Sequence, residues 1–406
     1  MGRILIFTMG TRGDVQPYIF LARALKKAGH EVIIGTHPCW KGLITEYGVG
    51  FSPVGPDIDI ELEAAIIRGK EKSPLMGFIK TMKFVFKIIE NSSDEVYELC
   101  KNADLVIASH SRMGAAEAEA CHVKTISVTL QTEMIPEVLK PKTKWKKITD
   151  NLINGMINPM IVKPYNRIRS KYSLHKIKSM DEMMSPYCNL IPISKYVMNP
   201  NPYWENKNKL VGYWYEEKEY EPSEELQSFL KTLEKPIILA MGAMSFESKE
   251  EVTKLDMFVK AFEQTGMRAV IQGFHKSLKQ YQLPETMMAV GSIPHNWLFK
   301  QGYLVIHHGG FGTSASAMIY GIPSIVIPHV LDQFALADKL YKLKVSAKPI
   351  KVSDLSIENL VGAIKECKKS YDELKQNVTK ISDEIKNEQG LETSVQLINQ
   401  VMNTEG

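Results

Sequence analysis

The sequence predicts an α/β protein built from two Rossmann-like domains, each a parallel sheet covered by helices. Three observations carry that expectation. Apolar runs of strand length alternate with helical stretches, which is the pattern of a parallel sheet. Twice, at 3–27 and at 303–320, such a strand passes through a glycine-bearing turn into a helix. The chain has 406 residues, enough for two ordinary domains with a core each.

Composition narrows the class. With 44% hydrophobic and 24% charged residues the chain is globular and not disordered. A formal charge of +4 is too mild to imply nucleic acid. Cys39, Cys100, Cys121, Cys188 and Cys367 are scattered, odd in number and form no C-x-x-C pair. That pattern fits reduced thiols in a cytoplasmic protein and argues against a metal site. Residue 3 already opens a strand, so no signal peptide is expected, and no apolar run approaches the ~20 residues of a membrane span. Met1-Gly2 is followed by Ile6, not Ser or Thr, which speaks against myristoylation.

In chain order, 3–9 reads as a buried strand and 10–16 as a loop. A helix is expected over 17–27, with Pro17 in its first turn and Gly29 closing it. A second strand covers 31–35. The loop has no G-x-G-x-x-G, and no acidic residue ends strand two, so it is not a dinucleotide fingerprint. Asp14 stands where an N-cap would stand. The stretch 51–63 reads as a loop. Its Asp57-Ile58-Asp59 spells a D-x-D metal motif, but the motif is short and follows no clear buried strand. A long helical stretch covers 75–100, with Phe78, Ile79, Met82, Phe86, Ile89 and Val96 apolar. Strands are expected at 105–109 and 125–129, separated by a small-residue helix at 115–120. Residues 139–178 carry eleven lysines and arginines, with Asp150 the single acid. This is a helical insert with a solvated basic face, or a surface that meets anionic lipid. Residues 190–193 close the first domain.

A linker and a first helix are expected over 199–234, then a strand over 236–241 followed by Gly242. A helix at 255–265 and a strand at 268–272 come next. Residues 303–306 form a strand that opens onto His307, His308, Gly309, Gly310, Phe311, Gly312, Thr313 and Ser314. The expected helix at 315–320 ends at Gly321 and Pro323. Such a turn suits phosphate, because glycines let the backbone approach and free N–H groups favour negative charge. A strand at 324–327 leads to Asp332 and Gln333, ahead of a helix at 334–341. Helical patterns follow at 357–367, 371–386 and 391–402.

Three of these stretches carry a family resemblance. HHGGFGTS at 307–314 with Asp332-Gln333 resembles the donor signature of family-1 glycosyltransferases of the GT-B fold, as bacterial antibiotic and sterol members write it. GTRGDVQP at 10–17 resembles the first loop of the same group, and MAVGSIPHNWLF at 288–299 its segment before the signature. The resemblance implies two Rossmann-like domains facing a cleft: acceptor domain 1–205, linker 206–234, nucleotide-sugar domain 235–385, and a helix at 386–406 crossing back. It implies that Asp14 is the general base and that Thr11 and Arg12 reach the donor diphosphate. His308 would contact the diphosphate, and Gly310, Gly312, Thr313 and Ser314 would cradle it beside Gly242. Asp332 and Gln333 would hold the sugar hydroxyls. Main chain at Ile293 would meet the base. Ala243 and Ser292 depart from relatives that carry Ser and Trp there.

The implied activity is inverting, metal-independent transfer of a hexose, foremost glucose from UDP-glucose. The acceptor would be a hydroxyl on a lipophilic molecule such as a sterol, terpenoid, polyketide or flavonoid. Met76, Met134 and Met156 would line its pocket. The nucleotide sugar is a co-substrate, and no cofactor is expected. Partners would be these two small molecules and the surface of an anionic membrane, not nucleic acid. The alternatives are a nucleotide-sugar epimerase or hydrolase on the same scaffold, and a non-catalytic nucleotide-sugar-binding protein. The chemistry requires a base, since an alcohol is too weakly acidic at pH 7 to attack an anomeric carbon unaided.

Overall fold

The computed structural model describes residues 1–70, 74–132, 135–141, 161–231, 234–242, 249–279, 281–329 and 331–404. It divides into two compact units. One is Met1–Tyr215 with Gln389–Gly406, and the other is Glu216–Glu388.

The first unit runs β1 (Arg3–Phe7), α1 (Arg12–Lys27), β2 (Glu31–Thr36), α2 (Lys41–Glu46), β3 (Gly50–Pro53), α3 (Ile60–Gly69), α4 (Pro74–Asn91) and α5 (Ser93–Cys100). It continues with β4 (Leu105–Ala108), α6 (Ala115–Ala120), β5 (Lys124–Val128), a helix α7 over 161–171, β6 (Asn189–Ile191) and β7 (Asn208–Leu210). All pairs are parallel, in the order β3-β2-β1-β4-β5-β6-β7. Ile4 faces Val32 on one side and Leu105 on the other. The apolar runs of β1 and β4 are buried on both faces, as the centre of a parallel sheet demands.

Four expectations shift here. Helix α1 begins at Arg12, not at residue 17, because Thr11 caps it and Asp14 occupies the third helical position. Pro17 consequently lies inside the helix. The expected loop at 51–63 holds β3 and the start of α3, and Asp59 caps that helix by accepting from the Leu62 amide at 3.0 Å. The stretch 75–100 is two helices, broken at Ser92. The chain leaves this unit after Tyr215 and not near 205, since Val211, Tyr213 and Trp214 are buried in it.

The second unit runs α8 (Glu224–Leu230), β8 (Ile237–Ala240), α9 (Lys249–Thr265), β9 (Ala269–Gln272), α10 (His275–Leu278), β10 (Met287–Val290) and α11 (His295–Gln301). It continues with β11 (Val305–His307), α12 (Phe311–Ile319), β12 (Ser324–Val326), α13 (Leu331–Lys342), α14 (Ile357–Lys369) and α15 (Tyr371–Lys386). Its strands order β10-β9-β8-β11-β12, again all parallel. Alternate residues bury on opposite faces. Leu239, Ile271 and Ile306 pack with Phe258 and Phe262, while Ile238, Val270 and Val305 pack with Leu298 and Phe299. Helices α12 and α13 each start three to four residues before the sequence predicts. At α12 the reason is Gly310, which is extended and serves as N-cap.

The last helix, α16 (Gly390–Asn403), belongs to the first unit. Trp214 donates to Ser394 Oγ at 2.8 Å, and His30 meets Asn399 at 2.8 Å. A Cβ on Gly390 would lie 2.6 Å from the Tyr213 carbonyl, so only glycine allows this entry.

Chain order reverses at one point in each sheet, between β1 and β4 and between β8 and β11. In open α/β sheets ligands bind beyond the strands' carboxyl ends at such points. The turns after β1 and β11 carry the two motifs singled out in the sequence.

Candidate functional site

In the first unit the turn after β1 is built to immobilise one carboxylate. Gly10 has φ +128°, and a Cβ there would lie 2.4 Å from Asp14 Oδ2. Thr11 donates to Oδ2 from its amide at 2.8 Å and from its hydroxyl at 2.9 Å. The Thr8 hydroxyl donates to the Asp14 carbonyl at 2.7 Å, and the Trp40 indole to the Gly10 carbonyl at 3.1 Å. Asp14 is thus both a cap and a fixed carboxylate. Oδ2 is engaged, while Oδ1 faces Nε2 of His110 at 3.9 Å. Both side chains keep about a quarter of their surface exposed, at 27% and 22%.

His110 comes from the turn after β4 and was not among the residues singled out in the sequence. Only strand order brings it to Asp14, 96 positions earlier. The available signal was a polar Ser109-His110-Ser111 run directly behind an apolar strand. Thr11 spends both its polar groups on Asp14, so it positions the carboxylate. Arg12 is exposed, and its Nε donates to Gln16 at 3.0 Å along the face of α1.

In the second unit the turn after β11 packs a histidine between two glycines. A Cβ on Gly310 would lie 2.2 Å from His308 Nε2, and one on Gly242 3.0 Å from His308 Cε1. Gly242 and Gly309 have φ of +58° and +82°. His307 is fully buried and its Nδ1 accepts from the Gly309 amide at 3.1 Å, so it shapes the turn. Burial pulls the His307 pKa down to about 3 and also pulls that of His308 well below the ordinary range. Both rings are therefore neutral at pH 7. A neutral His308 carries one ring N–H, with the Ala240 carbonyl as one acceptor near it, and its Nε2 lies beside the Gly310 backbone.

Gly312, Thr313 and Ser314 form the first turn of α12. The side chains of Thr313 and Ser314 are buried, and the Ser314 hydroxyl has no hydrogen-bond partner among the described residues. An anion here would meet backbone N–H groups and the helix N-terminus. Asp332 and Gln333 occupy the first turn of α13. Gln333 is buried, and its Oε1 accepts from the His329 amide at 2.8 Å. His329 is held by the Ile327 carbonyl at 2.8 Å, and burial pulls its pKa down to about 4. Lys254 of α9 lies within electrostatic reach of His329, a cation that no local sequence pattern marks.

At Ile293 the main chain is partly engaged. Its amide is already donated to Gln272 Oε1 at 3.1 Å, which leaves its carbonyl. His295 stacks on Phe299 at 4.4 Å and meets Ser316, tying α11 to α12. Trp297 packs on Tyr220 with ring centroids 5.2 Å apart, a core role. Ala243 lies outside the described residues.

Among the proposed acceptor residues, Met76 is described and is 44% exposed, and Met134 and Met156 lie outside the described residues. The basic stretch is described only at 139–141 and from 161 onward. There Val162, Lys163, Asn166, Arg167, Lys176 and Lys178 line an open groove of about 590 Å³. Among the described residues no group of three His, Cys, Asp or Glu could hold a metal, and no helix is long and apolar enough to cross a membrane.

Residues 4–155 match the glycosyltransferase family 28 N-terminal domain, and residues 269–389 match the erythromycin biosynthesis protein CIII-like C-terminal domain. The chain is 26% identical over 416 residues to sterol 3-beta-glucosyltransferase UGT80B1 of Arabidopsis thaliana, covering 97% of this chain and 67% of the relative. It is 28% identical over 429 residues to a sterol 3-beta-glucosyltransferase of Candida albicans, covering 97% of this chain and 27% of the relative. The chain thus spans about two thirds of the plant relative and about a quarter of the yeast one. Among solved structures it resembles the spinosyn forosaminyltransferase SpnP, with TM-score 0.75, 16% identity and coverage of 99% and 100%. It also resembles the glycosyltransferase VinC in complex with DTDP, with TM-score 0.70, 19% identity and coverage of 99% and 100%.

Proposed function

Because the chain is a GT-B glycosyltransferase of the sterol and antibiotic type, we propose that it transfers a hexose from a nucleotide sugar to a hydroxyl of a lipophilic acceptor, with inversion and without a metal. Glucose from UDP-glucose is the donor we favour, in line with what the sterol relatives are named for.

Two observations support this reading, one within each unit. The first unit holds a fixed carboxylate, Asp14, whose free oxygen can take a proton from a hydroxyl. The second holds a helix N-terminus, a neutral His308 and glycines that admit a diphosphate. The attacking oxygen loses its proton to Asp14 as it bonds to the anomeric carbon. The bond from that carbon to the diphosphate breaks, and its electrons leave with the phosphate oxygen. Backbone N–H groups and the α12 dipole offset that developing charge, the part a metal plays elsewhere. Attack opposite the leaving group inverts the anomeric centre. Asp332 and the Gln333 carboxamide hold the sugar hydroxyls.

Incubating purified protein with UDP-glucose, dTDP-glucose and a mixed library of hydrophobic alcohols, with products read by mass spectrometry and NMR, tests this. A β-linked glucoside formed in the presence of EDTA supports every part of it. Free glucose or an epimer without acceptor, or activity lost to EDTA and restored by Mn²⁺, would overturn it.

The lysines of the 162–178 groove support a second part of the proposal, peripheral contact with anionic membrane, at ~1 kcal/mol per basic residue near the surface. Flotation with phosphatidylserine vesicles at low salt should show binding that Lys163→Gln, Lys176→Gln and Lys178→Gln together abolish. Equal flotation of both proteins would end that part.

A further inference from the structure

Arg112 lies two residues beyond His110, in the turn after β4. It is 5% exposed, and its Nη1 is buried with no hydrogen-bond acceptor. Among the described residues it forms no ion pair within 4.0 Å, and Asp181 acts on it only from farther away. Among the described residues the other buried arginine, Arg169, shows what this fold does with such a charge when it is structural. It clasps Glu119 with two hydrogen bonds at 2.6 and 2.8 Å.

The turn forces Arg112 inward. Its φ is +57°, a left-handed conformation that arginine rarely adopts, and its amide donates to the Ser109 carbonyl at 2.9 Å. Gly114 follows with φ +87°, and a Cβ there would lie 2.3 Å from the Phe7 ring of β1. The loop is pressed onto β1, the strand whose following turn leads to Asp14 at the start of α1. Tyr18, one helical turn beyond Asp14, feels the charges of both Asp14 and Arg112, and its buried hydroxyl has no well-formed partner. His110 Nδ1 is likewise buried and unpartnered. The Tyr165 hydroxyl, by contrast, is spent on the Ser111 carbonyl at 2.5 Å.

An unpaired guanidinium in a protein interior is strongly unfavourable. Holding it there on a strained backbone makes sense where a ligand supplies the missing anion. We propose that Arg112, with the Tyr18 hydroxyl, receives a carboxylate of the acceptor, so that among lipophilic alcohols the site prefers those that also carry a carboxylate. A carboxylate matches the guanidinium in geometry and carries the single charge that one arginine neutralises. The inference rests on Asp14 marking the acceptor side of the reaction, and it names the acceptor's chemical class.

The test is equilibrium binding without donor. Isothermal titration would compare 4-hydroxybenzoate and 4-hydroxycinnamate with their methyl esters, on wild type and Arg112→Met. The acids should bind wild type at least about tenfold more tightly than their esters, the scale of a charge-assisted pair. In Arg112→Met the two should come within about twofold of each other, while the melting temperature stays or rises because a buried unpaired charge is gone. No acid preference in wild type, a preference that survives in Arg112→Met, or a variant that melts well below wild type would each overturn the proposal. Loss on these counts with intact transfer to neutral alcohols removes this inference alone. Acid binding with no transfer to any acceptor removes the catalytic reading and leaves this one standing.

Discussion

Asp14 does two jobs with two oxygens. Oδ2 fixes the start of α1 through Thr11, and Oδ1 is left for chemistry. Asp14→Asn keeps an oxygen for Thr11 and cannot take a proton. Transfer should fall by at least ~10²-fold, with UDP affinity unchanged in titration; near-normal kcat would remove Asp14 from the mechanism. At the other switch point the close approach of Gly310 to His308 makes a sharper test than deleting the ring. Gly310→Ala places a methyl 2.2 Å from Nε2 and must displace it. UDP binding should weaken by ~1.5–3 kcal/mol, as for His308→Ala. The double variant should lose no more than either single one, because both remove the same contact. Additive losses in titration would show that the two residues act apart.

At the scale of elements, the end of β11 and the end of β12 hold neutral, buried histidines. His307 has its pKa at about 3 against 6.5 when free. Its folded-state value is depressed, so its contribution is fully present above pH 6.5 and is lost as pH falls toward 3, while the unfolded chain takes up the proton. At pH 5 the loss is ~2 kcal/mol from this residue. The second unit should therefore melt progressively earlier from pH 6.5 down to 4. His307→Asn, whose carboxamide oxygen can still accept from Gly309, should flatten that slope in thermal melts across pH. An unchanged slope would mean that other groups set the acid limit.

At the scale of the whole molecule, α16 completes the first unit from the far end of the chain. Ile398 and Val401 are buried, and Trp214 is hydrogen-bonded to Ser394. Ending the chain at Glu388 should destabilise the first unit by on the order of 4 kcal/mol, from the lost burial of these apolar groups. Hydrogen exchange should rise across β1, α1 and β5 while protection within Glu216–Glu388 stays as it was. Equal loss in both units would contradict the division at Tyr215 and Gln389.

The sequence by itself determined the two parallel sheets, because runs such as Ile4–Phe7 and Ile237–Ala240 are apolar on both faces and only a covered sheet buries both. It also determined the two glycine turns, since positive φ at Gly10, Gly242 and Gly309 leaves few other residue types there. It placed Asp14, His308 and the Asp332–Gln333 pair at strand ends, because these motifs are local in the chain. Helix starts lie about a turn earlier than the sequence pattern predicts, since Gly310 and Thr11 cap from positions that read as loop. Only the tertiary structure decided which strand ends are neighbours. The order β2-β1-β4 sets His110 against Asp14 and Arg112 near Tyr18, residues about a hundred positions apart that no local pattern links. It also decided which hydroxyls are buried, as at Ser314, and which buried charge finds no ion-pair partner among the described residues, as at Arg112. Burial and pairing are properties of the packed sheet and not of any stretch that composes it.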